Sequence, residues 1–221
     1  MSTQSGADQS ATGVRWLLVN IAESRSPAAS LDLWRRLRGL GAHYLNPAVC
    51  LLPERDDTTS AVVRIVARAD RGRGHPRVFP IGVLDEASER DVIAAFSAER
   101  SDEYDQVVDR TSEFIGEITM EREHRPASYT EVEESQADLR RLRRWLASIR
   151  KRDYFDAPGY DRAAEAVATC ERLLVEFEAE AYEVEVHPTD EDLARAPWRQ
   201  RLRTLGSPVA CWLIAIVPLA T

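Results

Sequence analysis

Seven cations fall within one short stretch: Arg140, Arg141, Arg143, Arg144, Arg150, Lys151 and Arg152. Guanidinium groups at this density can neutralise DNA phosphates, and such binding weakens as salt rises. They can also hold a small tetrahedral oxyanion through charge-assisted hydrogen bonds. These seven are the expected DNA- or oxyanion-binding residues. A structural role competes, because the acidic stretch from Glu113 to Glu123 offers ion-pair partners and charge runs are commonly solvated faces. Arg150 and Arg152, with Asp153, also stand where a helix should end before Pro158, and cations favour that negative end.

Other candidates carry less. Trp34 with Arg35 and Arg36 can form a second contact surface, or Trp34 can join the core through a Leu31–Leu37 stripe. Arg71-Gly72-Arg73-Gly74 can touch phosphate, or simply connect a helix to a strand. His43, His75, His124 and His187 are scattered, none four residues from another His or a Cys, so no metal site is expected. The chain has no G-x-S-x-G, Walker A or G-x-G-x-x-G motif, so neither catalysis nor a cofactor is expected. Cys50 sits in an apolar run that reads as a buried strand, where thiols are usually inert.

These side chains need elements to hold them. Met1 to Gly13 is rich in Ser, Gly, Gln and Ala and reads as a disordered tail. Trp16 to Ile21 reads as a buried strand. Ser26-Pro27 opens a helix with Leu31, Trp34, Leu37 and Leu40 on one stripe, ended by Gly39 and Gly41. Ala42 to Leu45 and Ala48 to Leu52 pair as a hairpin across Asn46-Pro47. Asp56-Asp57-Thr58 caps a second helix carrying Ala61, Val62, Ile65, Val66 and Ala69. Arg77 to Leu84 is a fourth strand, and Pro80 places it at an edge or a bulge. The order strand, helix, strand, strand, helix, strand is the ferredoxin-like arrangement.

From Ser88 the period is helical. Tyr104, Val108, Thr111, Ile115 and Ile118 are expected on one face, and Thr130 with Glu133 as a capping box. The next helices carry Leu139, Leu142, Leu146 and Ile149, then Ala163, Val167, Cys170, Leu174 and Phe177. The expected fold class is α+β: a ferredoxin-like βαββαβ domain (14–87) followed by an antiparallel helical bundle or arm (88–186). A tail (1–13) precedes it, and a linker with an apolar segment, Val209 to Leu219, follows (187–221).

Composition sets bounds. With 221 residues, 44% hydrophobic and 30% charged, the chain can bury a true core. Its net charge of −8 argues against a general nucleic-acid coat protein but leaves room for a local basic patch. Lys151 is the only lysine. Three distant cysteines, Cys50, Cys170 and Cys211, imply no disulfide framework and fit a reducing cytoplasm. No signal peptide is read at the start, and the apolar run Val209 to Val217 is too short for a bilayer of about 20 helical residues. No membrane partner is expected.

Several short motifs resemble the N-terminal domain of the chromate resistance protein ChrB family. They are Trp16-Leu17-Leu18, Leu33-Trp34-Arg35-Arg36-Leu37, Leu40-Gly41-Ala42, and Val49 with Leu51-Leu52-Pro53-Glu54. In the helical half they are Leu139 to Arg144, Trp145-Leu146, Ile149-Arg150, Arg152-Asp153, Phe155 and Pro158. The resemblance runs over residues 15 to 180. In that family a second ChrB domain normally follows. Ala210-Cys211-Trp212-Leu213-Ile214 looks like its opening, with Trp198 and Arg199 upstream, so the chain reads as a truncated or frame-disrupted member. The resemblance implies a chromate-responsive transcriptional regulator, with operator DNA and chromate or sulfate as expected partners and a homodimer as an expected assembly. The alternatives are a non-catalytic interaction or dimerisation module and, less favoured, a ferredoxin-like metal-dependent nuclease using Glu23 after the first strand.

Overall fold

The computed structural model describes residues 13–21, 27–71, 76–124 and 128–186. Four strands form one sheet: β1 (Arg15–Asn20), β2 (His43–Asn46), β3 (Val49–Pro53) and β4 (Arg77–Val83). Between them lie the helices α1 (Pro27–Gly39) and α2 (Asp56–Arg71). Three more helices follow: α3 (Glu86–His124), α4 (Tyr129–Lys151) and α5 (Tyr160–Val186). The strand order is β2-β3-β1-β4, and every neighbouring pair is antiparallel. This is the ferredoxin-like order expected from the sequence, with the helical part after it. The tail before Gly13, Glu23, the loop Gly72–His75 and everything from His187 on, including Cys211 and Val209 to Leu219, lie outside the described residues.

The chain divides into two compact units, Met1–Asp109 with Arg143–Glu165, and Arg110–Leu142 with Ala166–Thr221. The first holds the sheet. Side chains alternate across a strand, and here both faces are used. Leu17, Val19, Cys50 and Leu52 point to one face and pack with Leu33, Leu37 and Val62 of α1 and α2. Trp16, Leu18 and Leu51 point to the other and pack with Val92, Ile93 and Phe96 of α3, together with Tyr154 and Phe155. A sheet covered on both faces explains why β1 and β3 read as continuous apolar runs. β4 is an edge strand, and its register slips opposite Trp16/Leu17, where Pro80 and Gly82 stand.

In the second unit, α3, α4 and α5 share a core that includes Thr111, Phe114, Ile118, Val132, Leu139, Val167, Cys170, Leu174 and Phe177. Arg110 pairs with Glu113 and lies 3.9 Å from Asp138, Arg122 pairs with Glu180, and Gln136 donates to Glu178 at 2.8 Å.

Three sequence readings need correction. The buried stripe of α1 is Leu33 and Leu37, whereas Leu31 is 45% exposed. The sheet sets the helix rotation, and the strict three-residue spacing drifts off a 3.6-residue face. The buried face of α3 runs through Tyr104, Val107, Thr111, Phe114 and Ile118, leaving Val108 and Ile115 at its margin. The capping box of α4 is Ser128 with Glu131: the Ser128 N–H donates to Glu131 at 3.1 Å, and the Glu131 N–H donates to the Ser128 hydroxyl at 3.4 Å. Burial selects it over the Thr130–Glu133 pair, since Glu131 is buried and Glu133 exposed.

Candidate functional site

The cationic run of α4 has two sides with different surroundings. On the outward side, Arg144, Ala147, Ser148 and Lys151 are all exposed. Spaced at i, i+3, i+4 and i+7, they make one outward strip. Among the described residues neither Arg144 nor Lys151 has an ion pair. Arg143 is exposed beside them. Arg140 and Arg141, on the same helix, belong to the second unit, where Arg141 pairs with Asp138 at 2.5 Å.

The other side is tied down. Asp153, its side chain 1% exposed, accepts from the Ala157 N–H at 3.0 Å, the Tyr104 hydroxyl at 3.0 Å and Arg150 at 3.3 Å. Arg150 also reaches Asp156 at 2.9 Å and lies 4.7 Å from the Tyr160 ring centroid. Its bond to Asp156 raises its pKa further. Asp156 sits at φ 52 and Gly159 at φ 108. A Cβ on Gly159 would stand 3.2 Å from that of Tyr104, so the turn needs glycine on both counts. Burial and the Asp153 carboxylate push the Tyr104 phenol up.

Arg152 points into a further network. Its Nη2 lies 2.9 Å from Glu103 Oε2, which is also 2.9 Å from the Nε of Arg100. Arg100 is 5% exposed and reaches Glu99 at 3.3 Å, and Glu99 meets the Nδ1 of His43 at 2.7 Å. Charge-assisted contacts of this kind let a guanidinium be buried. Gly41, at φ +83, makes room: a Cβ there would stand 2.8 Å from the Cβ of Arg152 and 3.1 Å from the Nη1 of Arg100. The Tyr154 hydroxyl donates to the Leu40 carbonyl at 2.5 Å and ties this turn to the segment after α4.

Of the seven expected binding residues, Arg150 and Arg152 are structural, and Arg141 pairs within its own helix. The partners of these three lie outside Glu113–Glu123, the stretch that sequence reasoning offered. The strip of Arg144 and Lys151 is the part left to meet an anion. Arg36 is held by Asp32 at 2.7 Å, Trp34 is half-buried against the sheet core, and Arg35 is exposed.

Sequence reasoning missed His43, Glu99, Arg100 and Glu103. A signal existed: Arg100 falls at i+4 between Phe96 and Tyr104, inside the apolar stripe of α3. A cation on that face is buried and must find partners. Cys50 is fully buried, and burial pushes its thiol up to about 12, which leaves almost no thiolate at neutral pH. No group of three or more His, Cys, Asp or Glu placed to hold a metal ion occurs among the described residues. No described helix is long and apolar enough to cross a membrane.

Fold and site together define an α+β protein with a ferredoxin-like sheet, a helical extension and an arginine-rich helix end. The family model described as Protein ChrB, N-terminal, matches residues 30–188, well over half of the chain, and the chain belongs to that family. Membership ties the protein to chromate resistance. No curated protein and no solved structure matches it significantly.

Proposed function

We propose that the chain is a chromate-responsive transcriptional regulator that contacts operator DNA through the outward strip of α4. The observation that carries this reading is the pair Arg144 and Lys151, exposed and without a carboxylate partner among the described residues, in a protein tied to chromate resistance. Between them on this strip stand only Ala147 and Ser148, small enough for the helix to come close to a phosphate backbone. Such contacts position a protein on DNA, and sequence choice needs further contacts to base edges.

Fluorescence anisotropy with a labelled duplex from upstream of its own gene tests this, with and without chromate. The expected result is binding that falls with salt and shifts with chromate. Arg144→Gln with Lys151→Gln should lower the salt slope by about 2, near one for each phosphate no longer neutralised. No binding at about 50 mM salt would end the DNA reading.

One observation favours an interaction module as the second reading. Val175 and Tyr182, one heptad apart on α5, are 64% and 54% exposed, with exposed Ala179 between them. Light scattering of the wild type and of Val175→Glu/Tyr182→Glu decides it: a dimer that dissociates in the variant supports this reading.

A further inference from the structure

A cleft of about 310 Å³ opens in the first unit between the end of α1, β2 and α3. Trp34, Ala42 and Tyr44 form its apolar wall, and Arg38, Glu99, Arg100, Asp102, Glu103 and Gln106 supply its polar groups. That volume is at the small end of ligand sites, which typically combine apolar walls with a few placed polar groups.

The charges in this cleft are not equally engaged. Glu99 meets His43 and Arg100, and Glu103 is shared by Arg100 and Arg152. Both carboxylates therefore already face a guanidinium. Arg38 makes no ion pair among the described residues; it lies 5.0 Å from the Trp34 ring centroid and is exposed. The buried Nη1 and Nε of Arg100 have no hydrogen-bond acceptor, and the Oε2 of Glu103 beside them has no donor. An unmet donor on a buried guanidinium is costly, and an acceptor entering from the cleft would relieve it. Asp102, exposed at the rim, is the one carboxylate of the cleft without a cation among the described residues.

We propose that this cleft binds a small anion with two or more terminal oxygens, held between Arg38 and Arg100 beside the Trp34–Tyr44 wall. Guanidinium forks match such oxygens in pairs. The anion is an inorganic oxyanion or a small organic carboxylate. In supplying a ligand site the inference rests on the regulator reading for its biological meaning, but anion binding itself does not require DNA.

Isothermal titration of the full chain at constant ionic strength tests the site, with chromate, sulfate and benzoate as probes and chloride as the reference. One probe is expected to bind at one site per chain. Arg38→Gln, an exposed change, should weaken it by about tenfold, as removal of one charge-assisted hydrogen bond would. Arg90→Gln, at the exposed start of α3, should leave it unchanged. Binding of chromate or sulfate assigns an inorganic ligand, and binding of benzoate alone assigns an organic one. No binding above the chloride reference, or equal binding in Arg38→Gln, overturns the proposal. Anion binding with no DNA retardation would sink the regulator reading and leave this site standing; the reverse would sink this site alone.

Discussion

The two sides of the cationic run at the end of α4 belong to one stretch of sequence and do opposite things. Arg150 and Arg152 are fastened: one to Asp153, Asp156 and the Tyr160 ring, the other to Glu103 beside buried Arg100. Arg144 and Lys151 stand in solvent. Residue type does not distinguish them. Direction on the helix does, since a few positions turn a side chain from the sheet side to the water side. Cations thus become part of the architecture where carboxylates from α3 and the turn after α4 await them, and stay available where nothing does.

Breaking the fastened side should give the largest effect. Arg100→Met removes the buried cation shared by Glu103 and Glu99 and should cost about 3 kcal/mol, measured by urea unfolding. A loss below about 0.5 kcal/mol would mean that the network is wetter than its burial implies. Gly41→Ala forces a left-handed backbone onto alanine and drives its Cβ toward Arg152. About 2 kcal/mol is expected, with the Trp16 and Trp34 emission altered.

Ser128→Ala tests the second unit alone. Losing half of the capping box should cost about 1 kcal/mol, seen as reduced hydrogen-exchange protection in the first turns of α4 before any change in the sheet. On the free side, Arg144→Gln with Lys151→Gln should move stability by less than about 0.5 kcal/mol, so its effect on DNA binding can be read without a folding correction. A large loss of stability there would erase the contrast between the two sides. Cys50 sharpens the same contrast from the core. With its thiol at about 12, it should resist a thiol reagent at pH 8 in the native state and react fully in urea.

Most of the motifs that resemble the family turn out to be architectural. Leu33 and Leu37 face the sheet, Leu51 and Leu52 face opposite sides of it, Gly41 clears space for two arginines, and Asp153 organises the turn after α4. They therefore identified the fold better than the site. Which cations remain free is a matter of where their partners lie: Arg150 and Arg141 find theirs close in sequence, whereas Glu103 is far along the chain from Arg152.

The order of strands and helices, the two-sided burial of β1 and β3, the α5 stripe from Ala163 to Phe177 and the family were all legible in the chain of residues. Each rests on local periodicity and short motifs, which neighbouring residues carry. Three-dimensional packing was needed to set the rotation of α1 and α3, to choose Ser128–Glu131 as the cap, and to divide one cationic run into fastened and open sides. Those depend on burial and on long-range charge pairing, and no window of adjacent residues contains either.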